Sequence, residues 1–258
     1  MLWATVPLQA HPEIEEALHR CNERIAAAPG DATLYLERGE LHARHNDLLA
    51  AHRDYQRAAA ISPRLPHLDR ARGSLALIRG QLAEANAFLN QALAQSPDDA
   101  EALVLRSRVL AARGDRPSAL ADLSGALALI PAPSPDLFLD RAALFAAPAD
   151  AIRSVDEGIE RIGPVPSLIV RALVLEESAG RVDDALARLD RVIAASERKE
   201  SWLKTRGDLL RRAGREREAR DSYAAARQAL AGLPAWLRES PAYLDLAAAL
   251  ERLILPPP

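Results

Sequence analysis

The chain has 258 residues, 33 Lys and Arg against 36 Asp and Glu, and a single cysteine. A net charge of -3 leaves no basic excess to spread over phosphates, and no apolar run reaches the roughly 18 residues of a membrane helix. A 49% hydrophobic content is too high for a disordered chain, and Cys21 alone makes neither an internal disulfide nor a cysteine zinc site. Nucleic-acid binding and an integral membrane protein are therefore not expected. Ala, Leu, Arg and Glu dominate and all favour helices, while 12 Gly and 18 Pro end helices often. The expected class is all-α.

Residues 1–12 form an N-terminal tail or signal-peptide remnant. MLWATVPLQA is apolar and ends in a small residue before His11 and Pro12, as before a cleavage site after Ala10. The balance leans to export, with a cytoplasmic protein carrying an exposed tail as the alternative. Residues 13–30 read as one helix of a helix pair, with Ala17, Cys21 and Pro29 on the period that follows.

From 31 to 232 the sequence repeats. Ala17, Ala51, Ala85 and Ala119 are 34 residues apart, and Ala151, Ala185 and Ala219 continue the series. Pro63, Pro97 and Pro131 keep the same step, as do Arg38, Arg72 and Arg106, followed by Arg141, Arg171 and Arg206. Gly80, Gly114, Gly180 and Gly214, with Asn46 in the first such place, mark tight turns where a positive φ is cheap. Gly39, Gly73 and Gly207 follow the recurrent arginine and allow close helix approach, with Ser107 and Ala142 in the matching places. Tyr55, Leu89, Leu123, Val155, Leu189 and Tyr223 lie one helical turn after the alanines and extend a buried stripe. The fourth pair has lost about a turn around Ala146–Asp150, and the fifth is one residue longer. Residues 233–258 supply a C-terminal capping helix, amphipathic through Leu244, Leu246, Leu250 and Leu253, and a Pro tail.

Tyr35, Gly39, Ala51, Tyr55, Ala58 and Pro63, with their counterparts in the next two units, resemble the tetratricopeptide repeat, here of a bacterial type. The resemblance implies a right-handed α-solenoid of about six helix-turn-helix units with terminal capping helices. It also implies a concave groove lined by the first helices and a protein or peptide partner held in it. Carried over residue by residue, the groove is Glu40, Arg44, Arg70, Ser74, Leu77, Val104, Arg108, Leu139, Ile169, Leu173, Lys204, Asp208 and Arg211. Leu36, Glu40, Arg70 and Ser74 stand where chaperone-tail adaptors carry their Lys and Asn set, so that clamp is not expected.

The recurrent arginines could form a ladder for an acidic ligand. Pairing with carboxylates of the second helices, such as Asp54 and Asp122, is the favoured account, since a ladder needs a net positive face. His42 and His45 lie three apart on one helix and, with His11, are the candidate metal ligands of an alternative reading, an exported metal-linked accessory protein. No HExxH, phosphate loop, GxSxG or CxxC pattern is present. The expectation is a non-catalytic scaffold with no cofactor.

Overall fold

The computed structural model describes residues 12–254, and every regular element among them is helical. The chain divides after Pro133 into two compact units. The first holds α1 (Pro12–Ala27), α2 (Ala32–Arg44), α3 (Leu48–Ile61), α4 (Leu68–Ile78), α5 (Leu82–Gln95), α6 (Ala100–Ala112) and α7 (Arg116–Leu129). The second holds α8 (Pro135–Leu144), α9 (Pro148–Ile162), α10 (Pro166–Ser178), α11 (Val182–Ala195), α12 (Glu200–Arg212), α13 (Glu216–Ala231), α14 (Ala235–Arg238) and α15 (Pro241–Ile254). No described helix is long and apolar enough to cross a membrane. The signal-like residues 1–10 and the candidate ligand His11 lie outside the described residues.

In the first unit the hairpins α2/α3, α4/α5 and α6/α7 stack, with α1 packed on α2. Asp31, Asp47, Asp99 and Asp115 accept from backbone N–H groups of α2, α3, α6 and α7, satisfying donors that a helix start leaves free. Asn46, Gly80 and Gly114 take positive φ, and the residue after each donates its N–H to a carbonyl five residues back.

Small residues set the spacing within a hairpin. A methyl group at Gly39 would lie 2.5 Å from Tyr55 Cε1, and one at Gly73 would lie 2.7 Å from Leu89 Cγ. Ser107, in the third hairpin's equivalent place, turns its hydroxyl to the Ala119 carbonyl at 2.8 Å and so leaves no buried donor unpaired. One cluster gathers Tyr35, Ala51, Tyr55, Leu68 and Leu75, and a second gathers Ala85, Leu89, Leu93, Ala102 and Val109.

The second unit stacks α8/α9, α10/α11 and α12/α13, with α15 on α13. Helices α8, α9 and α10 open on Pro135, Pro148 and Pro166 rather than on capping aspartates, which suits a position whose N–H has no partner. Helix α8 spans 10 residues where α2 spans 13, and Phe145 is already extended. In this short hairpin the close approach comes from the other helix: a methyl group at Gly158 would lie 2.8 Å from Phe138 Cγ. Leu250 of α15 is fully buried, with Leu246 and Leu253 packed beside it. Leu244, expected on the same apolar face, is instead 56% exposed, because it falls on the far side of the helix from Leu250.

Candidate peptide groove

In the first unit a groove of about 740 Å³ opens between α2, α4 and α6. Glu40 and Arg44 enter it from α2, Arg70, Ser74 and Ile78 from α4, and Glu101 and Leu105 from α6. Leu41 and Tyr55 also line it, and Ile78 is 55% exposed. Arg70 is held on both sides: Asp99 accepts from it at 2.9 Å and 3.2 Å, and Glu101 lies 3.3 Å away. Asp99 also caps α6 through the Ala102 N–H. Asp99→Ala should therefore cost about 1–2 kcal/mol, read as a lowered urea midpoint.

Other groups in the groove have no such ties. Arg44 forms no ion pair with a described residue. Partial removal from water pushes the Glu40 carboxyl up, and Glu101 adds to the shift against Arg70 and Arg44. The Tyr55 hydroxyl makes no hydrogen bond to a described residue, and burial pushes its pKa far up. Cys21 borders the groove, and burial foremost, then Glu37, pushes its thiol pKa up.

The recurrent arginines join neighbouring helices. Arg38 donates to both Asp54 oxygens at 2.9 Å and 2.6 Å, and to Asn22 Oδ1 on α1 at 2.7 Å. Arg106 repeats this with Asp122 at 2.6 Å and 2.7 Å and with Asn90 on α5 at 2.9 Å. Arg206 reaches Asp190 on α11 at 2.8 Å and Ser222 on α13 at 2.7 Å. Each of these side chains meets residues 16 positions before and after itself. Arg72 stacks at 3.9 Å on the ring of Phe88, also 16 residues on. These arginines are spent on packing rather than arrayed for a ligand.

A sequence model of the tetratricopeptide repeat matches residues 76–137, within the array of slots described above. The match covers about a quarter of the chain, and the fold of the whole is that of tetratricopeptide repeat solenoids. Its fold is similar to that of a tetratricopeptide repeat protein from Parabacteroides merdae, with 18% identity, 93% of each chain covered and a TM-score of 0.56. PilW, a type IV pilus biogenesis factor, is 19% identical over 74% of this chain and 91% of its own, with a TM-score of 0.62. YrrB, described as having an unusual peptide-binding site, is 17% identical over 69% of this chain and 92% of its own, with a TM-score of 0.55. At such identity the likeness is one of fold. No curated protein matches the chain.

The structure gathers Glu40, Arg44, Arg70 and Ser74 in one groove and places the other expected residues elsewhere. Leu77 is half-buried against the core cluster of α5, and Arg108 is exposed outside the groove lining. Val104 is a correction: it is buried, because α6 turns the side bearing Glu101 and Leu105 toward α4. In the second unit Leu139 is half-buried, and Ile169 and Leu173 are core residues at 2% and 6% exposure. A glutamate at 104 or 173 would thus attack packing rather than test binding. Lys204, Asp208 and Arg211 share a separate cleft with α15. His42 Nε2 lies 3.8 Å from Asp54, whose oxygens Arg38 already holds, and burial pushes the His42 pKa down. Among the described residues no three His, Cys, Asp or Glu side chains are gathered as a metal site.

The fifth repeat departs most from its neighbours. Its position equivalent to Asp54 and Asp122 holds Arg188, so the aspartate that the repeat arginine Arg171 would meet is missing. Arg188 instead takes Glu176 at 2.6 Å and Asp156 at 2.8 Å. Glu176 is buried at 2% exposure. The reversed sign at 188 follows from aligning the slots, and Glu176 stands in the slot of His42, Ala76 and Leu110, where no acid recurs.

Proposed function

We propose that the protein is a non-catalytic interaction scaffold that holds an extended peptide or partner segment in the groove between α2, α4 and α6. The observation that supports this is the set of groups the fold leaves unused there: the Tyr55 hydroxyl, Arg44, Glu40 and the exposed Ile78 on a wall otherwise tied by Arg70, Asp99 and Glu101. A groove with apolar seats and a few polar anchors suits a peptide better than a compact substrate. The likeness of fold to YrrB, described by its peptide-binding site, supports the reading by analogy.

Peptides selected from a random display library against the whole chain provide the test. Ile78→Arg should weaken the selected binders at least about tenfold, as expected for loss of one apolar anchor. Leu129→Arg, a change at an exposed residue outside the groove, should leave them unaffected. Binders indifferent to Ile78→Arg would place the contact elsewhere and overturn the proposal.

A further inference from the structure

The second unit carries a smaller cleft of about 350 Å³ between α12 and the C-terminal helix α15. Its walls are Lys204, Asp208, Arg211, Arg212, Ala249, Arg252 and Leu253. Four cations face one anion, and that anion is already consumed. Asp208 takes the Lys204 ammonium at 2.7 Å on one oxygen and the Tyr223 hydroxyl at 2.9 Å on the other. Arg212 is bound by both oxygens of Glu177, at 2.5 Å and 3.0 Å. Among the described residues two guanidinium groups have no carboxylate partner: Arg211 on α12, and Arg252 on α15, which donates from Nε to the Ala248 carbonyl at 3.2 Å.

From this geometry we infer that the α12–α15 cleft is a binding site for carboxylate side chains of an acidic peptide segment. Arg211 and Arg252 supply forked donors from two different helices, a geometry that fits planar carboxylates. Ala249 and Leu253 give the apolar floor on which the methylenes of a glutamate can lie. The neutralised Asp208 removes the repulsion that an anion would otherwise meet. This site stands apart from the first unit's groove, and either can fail without the other.

The test is fluorescence anisotropy on the full chain with a labelled Glu-rich peptide and a counterpart in which every Glu is Gln. The acidic peptide should bind, and raised salt should weaken it. Arg211→Gln with Arg252→Gln should cost at least about tenfold in affinity, since two charge-assisted bonds are lost. Arg238→Gln, on α14 and outside the cleft lining, should change nothing. Arg211 and Arg252 are both exposed, and an unchanged circular dichroism spectrum is the check that the helices persist. Equal binding of the Gln peptide, equal loss in the Arg238 control, or no binding of the acidic peptide overturns the inference. So does inorganic phosphate binding to the cleft while the acidic peptide does not.

Discussion

Arg188→Ala should destabilise the protein by about 3–5 kcal/mol, the cost of leaving a buried carboxylate without its cation. Glu176 is 2% exposed and has Arg188 as its ion-pair partner, at 2.6 Å. Asp156, the other acceptor, has a side chain 40% exposed and can return to water. The loss therefore comes from Glu176. Chemical denaturation of the single variant measures it. Removing both charges with Arg188→Met and Glu176→Leu should restore most of the stability, because no uncompensated ion then remains. Arg215→Ala is the control: its partners Glu218 and Asp183 are exposed, and its effect should be much smaller. A single variant no weaker than that control would show that the pair contributes little.

Gly207→Ala should cost about 1–3 kcal/mol in spite of the helix propensity that alanine gains. The added methyl would lie 2.4 Å from Tyr223 Cε1 and 2.6 Å from Cδ1. Tyr223 has no room to retreat. It is 1% exposed, and its hydroxyl is fixed by Asp208, with burial and that bond raising its pKa to about 12. Gly232→Ala is the comparison, since a methyl there would meet nothing closer than 3.5 Å and should change thermal stability little. A Gly207→Ala variant as stable as the Gly232→Ala variant would show that the aromatic ring can shift.

These effects separate what repetition makes legible from what it hides. A packing slot recurs because every hairpin meets the same neighbour, so Gly39 and Gly207 opposite Tyr55 and Tyr223 can be named from spacing alone. The pairs Arg38–Asp54 and Arg106–Asp122 are visible for the same reason. Groove residues are harder, because neighbouring positions on a helix differ by about 100° in direction. Counting by period puts Val104 and Leu173 on the open face, but the fold buries both. Glu101 and Leu105 take the open place on α6. The clasp of Arg188 by Glu176 is hidden for a different reason: both stand in repeat slots, those of Asp54 and His42, but with charges that recur in no other unit. Gly158 and Phe138, by contrast, fall in the slots that Ala58 and Tyr35 hold in the first hairpin.

The arginines that span three helices determine how each unit comes apart. Arg38 holds α1, α2 and α3 together, Arg106 holds α5, α6 and α7, and Arg206 holds α11, α12 and α13. Loss of α4/α5 from the interior of the first unit takes Asn90 away from Arg106, whereas loss of the last hairpin α6/α7 removes Arg106 together with Asp122 and leaves no cation behind. Where neighbours are stitched in this way, melting runs inward from a free edge rather than opening a gap in the middle.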